Sequence, residues 1–399
     1  MSGDAAAGGL TQRTAWNTAV RSVGGILGKL ATLAWTIAAV RLLDQQEVGG
    51  LFYALNVMLI ASALPTWGFD SGLIHRASRE SDALPRLNTQ VMALKTVIGV
   101  PAFLLAGGLA AMTRPSDQAT VVLLLFLVAG FPEMWSHTAR ATASARQSPL
   151  GVSAALVLQR LVTAAAILVV LIMQGGVVAV AAMFLLGTLV GWLAHARAVR
   201  GLGVRPSLRL LSRDGVIKLL RETWLVGCSG IVLMMLFRAD TLFLAAIDGD
   251  EAVAVYVVAY RLLETVLFVS HAINQSIFPV MSASVGGTRA RKGLEQGVAL
   301  ASFVYLPFAV VCLLEASRVI GLLFGETYAD QSAPVLMWLG PAAILFSAAF
   351  FMSTALMSRE RWDRARCLPS PSRRHQRRRH AERGAIRHRG GAERGATSA

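Results

Sequence analysis

The chain has 399 residues, of which 55% are hydrophobic, and its mean hydropathy is +0.56. These values lie well above those of soluble globular chains and exclude a water-soluble domain as the main body. The formal net charge of +15 is unevenly spread, because residues 359–399 carry 13 Arg against 4 acids. Most of the basic character therefore belongs to the C-terminal segment, and no nucleic-acid partner is expected.

Ten stretches of the chain are long and apolar enough to cross a bilayer, which takes about 20 mostly apolar residues. They lie at roughly 15–40, 48–73, 89–112, 120–138, 151–172, 177–195, 223–247, 252–281, 297–314 and 332–357. Most of the connections between them are short. The sequence therefore predicts an all-α polytopic membrane protein with ten transmembrane helices.

Basic residues are concentrated on alternate connections. If the N-terminus is cytoplasmic, sixteen Lys and Arg lie on inside segments, whereas the outside segments carry only Arg41, Arg114 and Arg318. Positively charged residues favour the cytoplasmic side of a membrane. We therefore expect a multi-pass protein with both termini in the cytoplasm.

The longest inside segment divides the spans into six and four. It is amphipathic and basic, which fits either contact with anionic lipid headgroups or a simple determinant of topology. The predicted organisation is a cytoplasmic N-terminal segment at 1–14, a first six-helix lobe at 15–195, a basic cytoplasmic linker at 196–222, an incomplete second lobe at 223–357 and a basic disordered tail at 358–399.

A short internal repeat supports two lobes of similar plan. LDQQEVGGLFYAL follows the first span and IDGDEAVAVYVVA follows the seventh. At an offset of 204 residues, Asp44, Glu47 and Phe52 align with Asp248, Glu251 and Tyr256. Similar lobes are a common transporter plan, although acidic residues also favour any helix N-terminus.

The eighth span carries the sharpest polar pattern. At 100° per residue, Tyr260, Glu264, His271 and Gln275 share one helical face. Arg261 lies three residues before Glu264, close enough for an ion pair. A polar stripe on an apolar helix faces a bundle interior or a wet cavity rather than lipid. The stripe predicts a surface for substrate or coupling ion, with an interhelical polar network as the alternative.

Further charges lie inside the other spans. In the seventh span, Arg238 and Asp240 are two residues apart and point to different sides, so each needs a partner elsewhere, Glu264 being one candidate for Arg238. In the first six spans the candidates for cavity cations are Arg21, Lys29, Lys95 and Arg160, and the main acid is Glu133. A cationic cavity suits an anionic substrate such as a phosphate, whereas each cation by itself fits snorkelling equally well.

Signs of enzyme chemistry are absent from the sequence. It contains no nucleophile motif, P-loop or dinucleotide fingerprint. Cys228, Cys312 and Cys367 are scattered, so neither a disulfide framework nor a metal site is indicated, and no cofactor is expected. A membrane enzyme acting on lipid-linked sugars would need catalytic groups on an outer loop, and the longest predicted outer loop is 315–331.

Three segments resemble bacterial polysaccharide flippases of the Wzx type, which belong to the superfamily of multidrug, oligosaccharidyl-lipid and polysaccharide exporters. In this chain, RLLDQQEVGGLFYAL and WGFDSGLIHRASRE resemble the opening of those flippases. The segments RADTLFLAAIDGDEAVAVYVVAYRLLETV and IFPVMSAS resemble their seventh and eighth spans, and VIGLLFGETYADQSAPVLMWLGP resembles the region that enters their tenth span. The resemblance covers about residues 11–362.

The resemblance implies movement of an undecaprenyl-pyrophosphate-linked oligosaccharide from the inner to the outer leaflet of the bacterial cytoplasmic membrane. Its expected partners are that lipid, membrane lipids, a polysaccharide polymerase and other assembly proteins. It also implies that Arg21, Lys29, Lys95 and Arg160 line the first lobe, and Arg238, Asp240, Arg261 and Glu264 the second. A peptidoglycan-precursor flippase and a drug/cation antiporter of the same superfamily remain alternatives.

The C-terminal segment departs from that family, whose members have 12 to 14 spans. After ten spans the chain continues as an Arg-rich, Lys-free stretch with almost no large apolar residue. One interpretation is a disordered basic tail that touches anionic lipid or nucleic acid. The favoured interpretation is out-of-frame translation of a GC-rich gene, which would leave the second lobe incomplete.

Overall fold

The computed structural model describes residues 24–78, 80–113, 117–283 and 288–367, and these residues are almost entirely helical. The helices are α1 (Gly24–Leu42), α2 (Gln45–Thr66), α3 (Phe69–Ala77), α4 (Leu84–Thr113), α5 (Asp117–Ala145), α6 (Leu150–Ile172), α7 (Val177–Gly201), α8 (Arg213–Ile247), α9 (Gly249–Ala283), α10 (Thr288–Phe324) and α11 (Glu326–Cys367). Ten of these described helices, all except the short α3, are long and apolar enough to cross a membrane. The predicted fold class is therefore confirmed.

The predicted linker is shorter than expected. Helix α7 continues to Gly201 and α8 begins at Arg213, so only 202–212 connects them, with one 3₁₀ turn at Leu208–Leu210. Ser212 caps α8 by accepting a hydrogen bond from the Gly215 amide at 3.2 Å. The basic, amphipathic ends of α7 and α8 continue the helical hydrogen bonding of the apolar spans. The apolar windows in the sequence did not predict these extensions, because they report hydropathy rather than helix ends.

The predicted outer loop at 315–331 is also helical. Helix α10 is kinked at Glu315, where φ is −129° and ψ is 22°, and continues to Phe324. Gly325 alone separates it from α11, with φ of 102°, a conformation that glycine adopts without strain. Helix α11 then extends to Cys367, into the predicted tail, while 368–399 lie outside the described residues.

The second span is broken near its C-terminal end. Trp67 and Gly68 both have positive φ, 30° and 66°, and separate α2 from α3. A Cβ on Gly68 would lie 2.7 Å from the Val226 side chain, so the break brings the backbone close to α8. Discontinuous helices recur at binding sites of transporters, where their ends face polar groups.

Aromatic side chains fill the centre of the main core. Trp35 stacks on Phe52 with ring centroids 6.0 Å apart and meets Phe184 edge-on at 6.4 Å. Phe126 lies 4.8 Å from Phe184. Because lipid is as apolar as these rings, their packing stabilises the bundle through van der Waals contact rather than through removal from water.

The chain divides into two compact units. One contains 1–268 and 306–343, and the other contains 269–305 and 344–399. Within the second unit, Ser270 hydrogen bonds with the Tyr305 hydroxyl at 2.7 Å and donates to Ser347 Oγ at 3.0 Å. This division does not follow the predicted lobe boundary at 196–222, and the two-lobe plan stays a prediction.

Candidate functional site

A cavity of about 310 Å³ lies within the first unit. Side chains from α1, α2 and α5 to α9 line it. Its charged lining residues are Lys29, Arg160, Arg238, Arg261, Glu133 and Glu264. Four cations against two carboxylates give the lining a formal charge of +2. Apolar rings, including those of Trp35 and Phe184, complete the wall.

Glu264 holds two arginines on one side of this cavity. Its Oε1 lies 2.5 Å from Nη2 of Arg238, and its Oε2 lies 2.7 Å from Nη1 of Arg261. The pair Arg261–Glu264 has the predicted i,i+3 spacing, and Arg238 pairs with Glu264 as one of the sequence hypotheses suggested. Ion pairs away from water are stable when such hydrogen bonds satisfy both partners.

The same arginines contact α2. Arg238 Nη1 donates to Asn56 Oδ1 at 3.1 Å, and the Arg261 guanidinium lies 4.7 Å from the centroid of the Phe52 ring. Arg261 Nε is buried and has no hydrogen-bond partner in the described part of the chain. One buried donor at the cavity wall therefore lacks the hydrogen bond that would offset its removal from water.

Glu133 lies between two arginines of α5 and α6, as Glu264 lies between two arginines of α8 and α9. Its Oε1 lies 3.4 Å from Arg160 Nη2 and 3.8 Å from Arg140 Nη2, and its Oε2 accepts from Gln159 at 2.5 Å. The His137 ring, on the next turn of α5, lies 3.7 Å from the same carboxylate. Within the described residues, Gln159 Oε1 and Arg140 Nη1 are buried without partners.

Lys29 differs from the other cavity cations. It lines the cavity from α1 as an exposed residue and makes no direct ion pair or hydrogen bond with a described residue, although the Glu264 carboxylate acts on it electrostatically across the cavity. Beside it, a Cβ on Gly28 would lie 3.2 Å from Arg160 Cγ, so this glycine lets α1 approach α6. The cavity therefore holds one cation that is not bonded directly to any carboxylate of the described residues.

The remaining predicted site residues lie elsewhere. Lys95 is fully buried and bonds to Asp70 rather than lining the cavity. Asp240 accepts hydrogen bonds from the Tyr256 hydroxyl and from the Thr241 amide and is not part of the lining. Arg21 lies outside the described residues, as do the side chains of His271 and Gln275.

Sequence reasoning did not include Glu133, Asn56 or Phe52 among the site residues. Glu133 carried a usable signal, because an acid inside an otherwise cationic group of spans is costly unless it is paired. Asn56 and Phe52 carried none, because they contact the arginines of α8 and α9 only through the tertiary fold.

Two models of known protein families match this chain. The family model described as polysaccharide biosynthesis protein matches residues 15–285, and the MatE model matches residues 226–364. No curated protein matches the chain significantly.

Solved structures of transporters share the fold. An inward-facing multidrug resistance MATE family transporter of the MOP superfamily is 18% identical over 86% of this chain and 84% of that one, with a TM-score of 0.68. A MOP superfamily transporter from Pyrococcus furiosus, described as having a binding pocket of reverse polarity, is 16% identical over 86% and 82%, with a TM-score of 0.64. At these identities the likeness concerns the fold.

The polysaccharide biosynthesis model covers well over half of the chain, and ten described helices can span a membrane. The chain is a multi-pass membrane transporter that belongs to the polysaccharide biosynthesis protein family, within the multidrug, oligosaccharidyl-lipid and polysaccharide exporter superfamily.

Proposed function

We propose that this transporter flips an undecaprenyl-pyrophosphate-linked oligosaccharide across the bacterial cytoplasmic membrane for the synthesis of surface polysaccharide. The observation that carries the proposal is the formal charge of +2 on the cavity, in which Lys29 is not bonded directly to either carboxylate. A charge at membrane depth without a partner is costly and marks a place for a ligand of opposite sign. The pyrophosphate of the lipid carrier supplies that charge.

The four cations have distinct tasks in this proposal. Lys29 attracts the pyrophosphate as a point charge, while the forked guanidinium of Arg160 can bind two phosphate oxygens at once. Glu133 and Glu264 hold the arginines in place when the cavity is empty. Because 310 Å³ is at the small end of ligand sites, roughly 300–1,000 Å³, the cavity suits the pyrophosphate rather than the whole oligosaccharide.

Alternating access requires contacts that can open at the outer ends of the helices. Gln45, at the start of α2, donates to Gln331 Oε1 at 2.9 Å and to the Glu251 carbonyl at 3.3 Å. Arg41 donates to the carbonyls of Leu323 and Leu322 at the end of α10. These hydrogen bonds close the predicted outer side, and we propose that they break when the substrate leaves towards the outer leaflet.

Drug efflux is the second candidate function. The MatE match over residues 226–364 and the fold of multidrug MATE transporters favour it. The excess of cations in the cavity disfavours a cationic drug, because like charges repel in a medium of low dielectric constant. A peptidoglycan precursor carries the same pyrophosphate, so the cavity charge does not separate that cargo from an oligosaccharide.

The deciding experiment uses purified protein in proteoliposomes. The probe is undecaprenyl pyrophosphate carrying one fluorescent sugar, and its transfer is followed by quenching with a reductant that does not cross the membrane. We expect the protein to move the probe and Lys29→Gln to move it at least tenfold more slowly. The control variant Arg318→Gln removes an exposed cation outside the cavity.

Ethidium transport in the same vesicles tests the second candidate. Movement of ethidium with no movement of the lipid probe would overturn the proposal in favour of drug efflux. Sugar transfer to an acceptor by the purified protein would instead support the membrane-enzyme alternative.

A further inference from the structure

A second cavity, of about 540 Å³, lies between α3, α4 and the first three turns of α8, within the first unit. It shares no lining residue with the cavity that holds Lys29. Three basic and three acidic side chains line it, namely Arg76, Arg86, Lys218, Glu80, Asp214 and Glu222. With His75 neutral, the formal charge of this lining is zero, whereas the other cavity has +2. A ligand that suits the lining therefore carries charge of both signs.

The cations of this cavity are only partly matched within the protein. Arg76 Nε donates to Glu222 at 2.6 Å, but Nη2 of the same guanidinium is buried and has no hydrogen-bond partner in the described part of the chain. Arg86 Nη2 donates to the Ser212 hydroxyl, which is neutral and does not compensate the charge of Arg86. A buried donor without an acceptor is costly, and a phosphate oxygen would supply the acceptor that Arg76 lacks.

The cavity lies at the boundary between hydrocarbon and headgroups. By the distribution of basic residues, the connections from α3 to α4 and from α7 to α8 both fall on the predicted cytoplasmic side. On α8, an apolar surface begins directly after Glu222, where Trp224 is 59% exposed and Leu225 is 67% exposed. In the connection before α8, Leu208 is 81% exposed. Exposed apolar side chains beside charged ones are typical of this depth, where tryptophan is enriched.

We propose that this cavity binds the headgroup of a zwitterionic aminophospholipid of the cytoplasmic leaflet, phosphatidylethanolamine being the simplest such lipid. The phosphate oxygens accept hydrogen bonds from Arg76 Nη2, Arg86 and Lys218. The primary ammonium donates to the carboxylates of Glu80 and Asp214. This site is independent of the cargo that the transporter moves.

The mixed charge of the lining selects among phospholipids. Phosphatidylglycerol would bring its phosphate but would leave Glu80 and Asp214 facing an uncharged glycerol. Phosphatidylcholine has the charges of phosphatidylethanolamine, but its trimethylated nitrogen has no N–H to donate. The volume of 540 Å³ lies within the range of small-molecule sites, roughly 300–1,000 Å³, and suits a headgroup rather than a whole lipid.

Competition binding with the full-length protein in detergent tests the preference. The probe is phosphatidylethanolamine with a fluorescent label on one acyl chain, and its binding is followed by fluorescence anisotropy. Unlabelled phosphatidylethanolamine should displace the probe at concentrations about tenfold lower than phosphatidylcholine or phosphatidylglycerol. Displacement by all three lipids at equal concentrations would overturn the inference in favour of unspecific solvation of the helices.

Substitutions should change the lipid preference in opposite directions. Arg86→Gln/Lys218→Gln removes two partners of the phosphate and should weaken phosphatidylethanolamine about tenfold. Glu80→Gln/Asp214→Asn removes the partners of the ammonium and leaves a lining of formal charge +2, so this variant should prefer phosphatidylglycerol. Such a gain of affinity cannot result from unfolding. An unchanged preference for phosphatidylethanolamine in the second variant would contradict the proposed site.

A matched control neutralises charges outside the cavity. Glu315→Gln/Arg318→Gln removes an exposed ion pair of 2.7 Å and should leave every displacement curve unchanged. A shift in preference equal to that of Glu80→Gln/Asp214→Asn would show that the cavity is not the place of selection.

A soluble compound with the same chemistry is the other source of such a ligand. Glycerophosphoethanolamine has the headgroup without acyl chains, and it should displace the probe about tenfold less well than the lipid. The reason is that the exposed side chains of Leu208 and Trp224 place the acyl chains in the bilayer beside the cavity. Equal displacement by glycerophosphoethanolamine would overturn the assignment to a lipid in favour of a soluble phosphorylated amine.

Discussion

Arg238 Nη2 lies 2.5 Å from Glu264 Oε1, and this contact joins α8 to α9 at the wall of the cavity. Both side chains are mostly buried, with 16% and 17% exposed. Glu264 also holds Arg261, so one carboxylate compensates two guanidinium groups. The arrangement leaves a net positive wall that is stable without a ligand and attractive to an anion.

Removing the Glu264 carboxylate should lower the stability of the protein and raise its affinity for an anion. In Glu264→Gln, two buried arginines lose their counter-charge, which costs about 3 kcal/mol of stability. The freed guanidinium groups should at the same time bind farnesyl pyrophosphate more tightly. Thermal unfolding in detergent and titration with farnesyl pyrophosphate measure the two effects. Glu315→Gln, at an exposed ion pair, is the control, and an unchanged unfolding temperature in Glu264→Gln would contradict the prediction.

Lys29→Gln should behave in the opposite way. Because Lys29 is not bonded directly to a described carboxylate and a charge at membrane depth is costly, its loss should leave the unfolding temperature unchanged or raise it. A charge-assisted contact to the pyrophosphate is worth about 1.5–3 kcal/mol, so affinity for farnesyl pyrophosphate should fall by about 10- to 100-fold. Binding titration checks this, with Arg318→Gln, which removes an exposed cation outside the cavity, as the control. Equal affinities in the two variants would remove Lys29 from the site.

Close packing of α6 on α7 predicts a sharp steric effect. A Cβ on Gly187 would lie 1.9 Å from Thr163 Oγ1 and 2.9 Å from the Thr163 Cα, which is backbone and cannot rotate away. Gly187→Ala should therefore destabilise the protein by about 1–3 kcal/mol. Gly201→Ala, on the same helix with nothing within 4 Å, should be neutral or slightly stabilising. Thermal unfolding of both variants measures the difference.

Closing the outer ends covalently should stop transport. In a protein whose native cysteines are replaced by alanine, a short bifunctional thiol reagent should link Gln45→Cys to Gln331→Cys, whose native side chains are 2.9 Å apart. Probe transfer in proteoliposomes should then cease, and a reagent with a cleavable spacer should allow its recovery. Unreduced transfer by fully cross-linked protein would show that these helix ends need not separate.

The predicted orientation can be tested by thiol labelling of exposed positions. Gln174 lies between α6 and α7, and Arg205 lies between α7 and α8. With both termini cytoplasmic, Gln174→Cys should react with an impermeant maleimide in intact cells, whereas Arg205→Cys should react only after permeabilisation. The reverse labelling pattern would invert the proposed topology.

The local sequence pattern predicted the membrane-spanning helices of this protein and one of its ion pairs. Apolar runs of sufficient length predicted every described span, because a bilayer admits few backbones other than a continuous helix. Helical periodicity likewise predicted the pairing of Arg261 with Glu264, three residues apart. The helical extension of α7 to Gly201 and of α8 back to Arg213 was not predicted, because the hydropathy of a window reports the hydrocarbon core and not where hydrogen bonding ends.

The tertiary structure alone decided which charged side chains from different helices pair with each other. Lys95 and Lys29 read alike in the chain, as single cations inside apolar spans. The fold gives Lys95 a directly bonded carboxylate on α3 and places Lys29 at the cavity, where no described carboxylate bonds to it directly. Periodicity assigns a side chain to a face of its own helix, whereas its partner depends on which helices pack together and how they are rotated. That packing, through contacts such as Gly28 on Arg160, separates a cation available to a ligand from a cation already neutralised.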